Sequence, residues 1–429
     1  MRSSRRTMPI SDAVELNPRV KLERGQNYSF VEMAALVENV TRVKTNITKE
    51  YKGSGVKFCD GDTLFARITP CLENGKIAKY RGKPNEMAFG STEFIIFRGR
   101  KDVTTNDYAH YLATDPNFID FAISKMTGTS GRQRVPIGEL DHYSLSVPSI
   151  AEQNRITKIL GDLDDKIEIL REMNRTLEEM ARSIFKAWFV DFEPVHAKAA
   201  GATRFKGIPK DLFNMLPDSF EASGLGGIPK GWSVEPLDKI ADFLNGYAMQ
   251  KHRPKEGEAS LPVIKISELR KGISAKTERA SINVPDKFKL KDGDFIFSWS
   301  GSLLAKFWTD GPGALNQHLF KVTSDSYPMW LVANWIWEHL EKFQRIAASK
   351  ATTMGHIKRN HLSEAHVVLP TDQSLPLMTK VLQPLYEKQL INSFEAISLA
   401  SLRDTLLPKL ISGELEIPSL KALGLEAGD

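Results

Sequence analysis

Residues 151–189 read AEQNRITKILGDLDDKIEILREMNRTLEEMARSIFKAWF, and this stretch decides the fold. Apolar or neutral side chains recur at Ile156, Leu160, Leu163, Ile167, Leu170, Asn174, Leu177, Ala181, Ile184 and Trp188, in steps that alternate between four and three. That spacing is a heptad seam, narrower than the apolar face of an ordinary globular helix, and no Pro or Gly interrupts it after Gly161. It predicts a long helix that buries one stripe against a partner. About 38 helical residues span roughly 55 Å at 1.5 Å per residue, so such a helix can act as a ruler.

The partner is in the same chain. Leu140 pairs with Leu362, Pro148 with Pro370, Lys158 with Lys380 and Leu163 with Leu385, always 222 residues apart. The offset carries the seam to Leu382, Leu385, Gln389, Asn392, Ala396, Leu399, Arg403, Leu406 and Leu410. With Leu160 at an a position, Asn174 falls at a and Asn392 at d. In an antiparallel pair a residues meet d residues, so Asn174 is expected opposite Asn392, with Leu160 near Leu406, Ile167 near Leu399, Leu170 near Ala396, Ala181 near Leu385 and Ile184 near Leu382. Two asparagines that satisfy each other fix the register of such a seam. A dimerisation coiled coil between two chains is the alternative reading of the helices alone.

The duplication extends upstream. KFCDGDTLFA at 57–66 and KLKDGDFIFS at 289–298 are each a DGD turn entering a strand. GSTEFIIFR at 90–98 and ALNQHLFKV at 314–322 each add a polar turn and a strand. A helical segment follows in both copies, at 106–126 and 328–349, then a polar loop, TGTSGRQR at 127–134 and KATTMGHIKR at 350–359, and a short strand ending at Pro148 or Pro370. The expected fold class is α+β: two globular domains of mixed helix and strand, separated by two long helices in an antiparallel coiled coil with pseudo-twofold symmetry. The expected boundaries are domain 1 at 1–148, long helix at 149–192, linker at 193–232, domain 2 at 233–370, long helix at 371–415 and tail at 416–429. The Gly-, Pro- and Ala-rich linker is expected to be irregular and exposed.

Composition sets limits on function. At 429 residues the chain exceeds one core, and 41% apolar with 26% charged residues describes a globular protein. No apolar run approaches the roughly 20 residues that span a bilayer, and the start MRSSRRTMPISDAVEL has no hydrophobic segment behind its arginines, so a cytoplasmic location is expected. The two cysteines, Cys59 and Cys71, fit no zinc or redox spacing and read as reduced thiols. A net charge of +5 permits a polyanionic partner without requiring one.

The run EQNRITKILGDLDDKIEILREMNRTLEEMARSIFKAWFVDFEPV resembles the central helical region of type I restriction-modification specificity subunits. DGDTLFARITPCLENGKIA with GSTEFIIF, and IPKGW with KDGDFIFSWSG and NQHLFKV, are similar to two classes of their target-recognition domains. The resemblance implies that each domain reads one part of a split double-stranded DNA site. It further implies that the helices dock two modification subunits, which methylate adenine, and that restriction subunits join for cleavage. S-adenosylmethionine, ATP and Mg would then belong to those partners and no cofactor to this chain.

Reading bases needs Arg, Lys, Gln and Asn side chains, with other cations on phosphates. The paired polar loops supply Arg132, Gln133 and Arg134 in one copy and His356, Lys358 and Arg359 in the other. A second set follows the DGD strands: Arg67, Asn74, Lys76 and Lys79, and Ser300, Ser302 and Lys306. For each, base contact, phosphate contact and a solvated surface remain open, and Asn74-Gly75 also suits a hairpin turn. Trp330, Asn334 and Trp337 sit at helical spacing and read as core. No methyltransferase Asn- or Asp-Pro-Pro-aromatic loop, P-loop, HExxH or nuclease carboxylate cluster is found; DPNF at 115–118 reads instead as a helix start or break. An atypical nuclease and a coiled-coil adaptor without sequence preference are the rival readings.

Overall fold

The computed structural model describes residues 5–37, 40–129, 131–274, 276–349 and 355–417. The 350–354 part of the second polar loop, and the tail beyond residue 417, lie outside the described residues. The chain forms two compact units, residues 1–168 with 398–429, and residues 169–397. Each unit takes half of each long helix, Ile150–Phe185 and Leu375–Ser412.

In the first unit the strand Thr63–Ala66 lies between Phe94–Gly99 and Ile77–Tyr80, all antiparallel, with Val14–Leu16 beyond Phe94–Gly99. A second sheet has the order Thr48–Glu50, Asn27–Val31, Met87–Gly90, Val56–Cys59, with one parallel pairing between Asn27–Val31 and Met87–Gly90. Side chains alternate across the central strands. Phe65 and Phe97 face the helix Asn106–Thr114 and Phe118 of Pro116–Ser124, while Leu64 and Ile96, with Tyr80, join Val31 and Phe58 of the second sheet. Pro116 starts a new helix with Asp115 as its N-cap, so the 106–126 segment is two helices.

The second unit repeats this topology. Phe295–Ser298 lies between Leu319–Thr323 and Ala305–Phe307, with Asp242–Asn245 beyond. Its second sheet runs Arg279–Ser281, Ser260–Ile264, Gly313–Leu315, Lys289–Leu290, again with one parallel pairing in the middle. Both DGD turns put their glycine at φ +88°, where a side chain would be strained, and both use the second carboxylate twice. Asp62 accepts from the Cys59 amide and pairs with Arg98 at 2.7 Å; Asp294 accepts from the Lys291 amide and pairs with Lys321 at 2.7 Å.

The long helices pair antiparallel inside each unit. In the first, Ile156 and Leu160 share a core with Leu407, Leu410 and Ile411; in the second, Ala181 and Phe185 share one with Met378, Leu382 and Tyr386. The buried face is wider than the heptad seam. Glu152, Gln153 and Asp164 are also buried: Glu152 meets Arg5, Gln153 bonds the Thr105 amide and the Val103 carbonyl, and Asp164 accepts from Tyr111 of the helix Asn106–Thr114.

The 193–232 segment is not an irregular, exposed linker. It folds into the helices Glu193–Ala199 and Lys210–Met215 and the hairpin Phe220–Ser223 with Gly226–Pro229. Val195, Leu212, Phe213, Ile228 and Trp232 are buried with Phe189 and Trp330 in one core. Its apolar residues are too few and too irregularly spaced to show a period, yet they cover the end of the first long helix. The Gly and Pro content marks tight turns on a packed surface. Trp330 and Asn334 are core residues, as their helical spacing predicts: Asn334 donates to the Trp330 carbonyl at 2.7 Å and the Tyr386 hydroxyl at 2.6 Å. Trp337 packs against the same core, partly buried.

Candidate nucleic-acid interface

Two segments far apart in sequence meet in each unit, through the same backbone ladder. In the first unit Val135 N–H donates to Arg67 O at 2.8 Å and Thr69 N–H to Gln133 O at 3.0 Å, bridging Ile68 to Arg134. In the second, Ile357 N–H donates to Trp299 O at 2.9 Å and Gly301 N–H to Gly355 O at 2.8 Å, bridging Ser300 to His356. A third strand end completes each site: Arg67 N–H donates to Glu93 O at 2.9 Å, and Trp299 N–H to His318 O at 3.4 Å. The polar loop and the segment after the DGD strand, chosen separately from sequence, are therefore one surface in each unit.

The side chains on this shared frame differ. Arg132 is exposed and makes no side-chain hydrogen bond among the described residues, and Gln133 is half-buried. Arg134 is held by Glu93, with Nη2 donating to Oε1 at 2.8 Å and Nε to Oε2 at 2.9 Å, and by the Arg132 carbonyl at 3.2 Å. Arg67 is half-buried, and its Nε has no partner among the described residues. In the second unit Ser300 is buried with its hydroxyl 3.1 Å from His318 Nδ1, and Trp299 packs against the His318 and His356 rings and donates to Asn245 Oδ1 at 2.9 Å. Ser302, Lys358 and Arg359 are exposed. Arg359 also reaches the Phe243 carbonyl at 3.2 Å and stacks over Phe320. Glu93, Trp299 and His318 were not legible as site residues, because only the ladder brings them to the loops.

Three chosen residues lie elsewhere. Lys79 is buried and paired with Asp107, and burial pulls its ammonium below the ordinary lysine range, so it is not available to a polyanion. Lys306 is likewise desolvated, and lines a cavity of about 390 Å³ beside Asn174, Trp337 and Tyr386. Both sit on the strand that follows the loop, where the alternation points one side chain toward the long helix. Lys76 is half-buried and donates to the Met33 carbonyl at 3.2 Å. Asn74 is exposed in the 67–76 turn, next to Gly75 at φ +65°.

At the helix seam Asn392 Nδ2 donates to Asn174 Oδ1 at 2.9 Å, and Asn174 Nδ2 donates to Ser393 Oγ at 2.9 Å and to the Gln389 carbonyl at 3.0 Å. In the first unit the corresponding seam holds Asp164, which accepts from Arg403 at 2.8 Å and from the Tyr111 hydroxyl at 2.8 Å. Cys59 and Cys71 are free thiols. Among the described residues no cluster of His, Cys, Asp or Glu could hold a metal ion, and no helix is long and apolar enough to cross a membrane.

The chain is thus a duplicated α+β module, each copy joined to half of an antiparallel helix pair and presenting cations from one loop. The type I restriction modification DNA specificity domain matches residues 15–179 and again 229–396, so the chain belongs to that family and carries the domain twice. It is similar to the HindI type I restriction enzyme specificity subunit of Haemophilus influenzae, 23% identical over 402 residues that cover 83% of this chain and 86% of the relative. It is also similar to the MjaIX specificity subunit of Methanocaldococcus jannaschii, 26% identical over 333 residues, 75% of this chain and 71% of that one. The crystal structure of a type I restriction-modification S subunit from M. genitalium shares the fold, with a TM-score of 0.51 at 13% identity over 96% of both chains.

Proposed function

We propose that this chain is the DNA-reading subunit of a type I restriction-modification complex, in which each unit reads one half of a bipartite, asymmetric double-stranded site. The observation that carries the reading is the repeated ladder that joins two sequence-distant segments into a polar, cation-bearing surface in both units. In the first half-site the contacts fall to Arg132, Gln133 and Arg134 with Arg67 and Asn74 at the margin. In the second they fall to Lys358, Arg359, Ser302 and the Trp299–His356 surface. Bases are read by the paired donors of Arg and Gln and by Asn, and phosphates are positioned by the remaining cations.

The long helices set the separation of the half-sites, with the Asn174–Asn392 pair holding their register. Their outer faces carry Ile169, Met173, Met180, Ile391 and Ile397 at 40–55% exposure, which suits docking of two modification subunits. Adenine methylation, and cleavage by restriction subunits, are then the work of those partners, as are S-adenosylmethionine, ATP and Mg. This chain recognises and scaffolds in the cytoplasm without a catalytic site of its own.

Mapping methylated adenines in DNA from cells that carry this chain with its modification subunits tests the reading. The expected outcome is a split motif with a fixed gap. A single continuous motif would overturn it, as would a gap unchanged by adding one heptad to both helices.

A further inference from the structure

Arginine has five N–H donors in a planar fork. In Arg134, Nε–H and one Nη2–H are taken by Glu93, at 2.9 and 2.8 Å, and one Nη1–H by the Arg132 carbonyl at 3.2 Å. Among the described residues nothing takes the two that remain, one on each Nη. The Nη2–H that remains lies on the edge away from Nε, the edge from which an arginine addresses guanine O6 and N7. The side chain is 43% exposed and Glu93 24%, so the carboxylate is the more buried member of the pair. The ladder fixes both ends of the pair: Glu93 O accepts from Arg67 N–H, and Arg134 exchanges both backbone hydrogen bonds with Thr127.

From this we infer that Glu93 is a positioning residue for base reading, holding Arg134 so that its free edge can address one guanine in the first half-site. The inference rests on the DNA-reading role proposed above. A carboxylate at this surface repels phosphates, which a site built for general DNA affinity would avoid. A site built for discrimination tolerates the repulsion, because a preset fork loses less conformational entropy when it binds. The second unit lacks the device, since His318 and His356 stand at the positions of Glu93 and Arg134. Reading by an Arg–Glu unit therefore belongs to one half-site alone.

The test uses the full chain assembled with its modification subunits, on a library of duplexes randomised across both half-sites, at fixed salt. Arg134→Lys is expected to reduce preference at one base pair of one half-site by about tenfold, the loss of a bidentate contact. Glu93→Ala and Glu93→Gln should each relax preference at that same base pair, and Glu93→Ala combined with Arg134→Lys should be no worse than Arg134→Lys alone. The glutamine variant keeps size and polarity should the alanine variant fold poorly. Tighter binding to all duplexes with base preference unchanged would overturn the role of Glu93, and so would additive effects in the double variant. A parent chain with no base preference at all would overturn the DNA-reading role as well, which separates the two failures.

Discussion

The two units share one topology and fill it with opposite chemistry. At the strand position after the DGD turn the first unit has Thr63, whose hydroxyl lies 3.2 Å from His110 Nδ1, next to the buried Lys79, which pairs with the exposed Asp107, and the Tyr111–Asp164–Arg403 chain. The second unit has Phe295 there, packed on Phe307 and Trp337, with Trp337 stacked on Tyr386. The recognition surfaces differ in the same way, Arg134–Glu93 against Trp299–His318–His356. The backbone ladder is what the duplication preserved, and the side chains on it are interchangeable within wide limits. A scaffold held by backbone hydrogen bonds leaves its surface side chains able to change.

The largest test of this contrast is at the seam. Arg403→Ala leaves Asp164 buried with only the Tyr111 hydroxyl, and removing one partner of a buried ion pair costs about 3–5 kcal/mol. Chemical denaturation should show that loss. Hydrogen exchange should place it in residues 150–168 and 398–412, with protection in 233–370 unchanged; equal loss in both units would erase the distinction between them.

Acid should separate the units next. Burial, reinforced by Lys79, holds the buried His110 imidazole down at about 3, below its ordinary 6.5. The unfolded chain therefore binds a proton that the folded chain refuses between those values. The stability from keeping His110 neutral is complete above about 6.5 and is lost as pH falls, at about 1.4 kcal/mol per unit, or near 3 kcal/mol by pH 4.5. His110→Gln should flatten this slope in denaturation curves measured from pH 7 to 4.5. An unchanged slope would assign the acid sensitivity elsewhere.

The heads can be compared by Arg132→Gln and Lys358→Gln. If Arg132 reads a base, its loss costs about 1–3 kcal/mol of discrimination at one base pair of the first half-site and nothing in the second. Lys358→Gln should leave the first half-site untouched, and a matching loss in both half-sites for either variant would mark a phosphate contact. The smallest energetic effect is expected from Asn174→Leu with Asn392→Leu. Replacing both hydrogen-bonded partners by apolar groups is close to neutral for stability, but it removes the register constraint. Cysteines at 174 and 392 should form a disulfide efficiently in the parent seam; efficient linking at shifted pairs there would show that the asparagines do not set the register.

Much of the architecture is legible in residues 151–189 and the 222-residue offset, because helical period and internal repetition are one-dimensional signals. The α+β class, the long helices, the helical segment at 328–349 and the choice of Asn174 and Asn392 all follow from them. The polar loops are legible for the same reason, since Arg, Gln and Gly cluster without period. Lys79 and Lys306 misled because a strand face is assigned by what packs on it, and no periodicity in a four-residue strand says which face meets a helix. Segment 193–232 misled because burial without regular spacing leaves no pattern to read.

By itself, then, the sequence determined the repeat, the helical period and the residue types available to touch a polyanion. Only the tertiary structure decided which of those residues share a surface, that Glu93 grips Arg134, and that two lysines face inward. Local pattern follows from each residue's neighbours in the chain, whereas each polar loop meets the segment after the DGD strand across more than fifty positions, a proximity that exists only once the chain has packed.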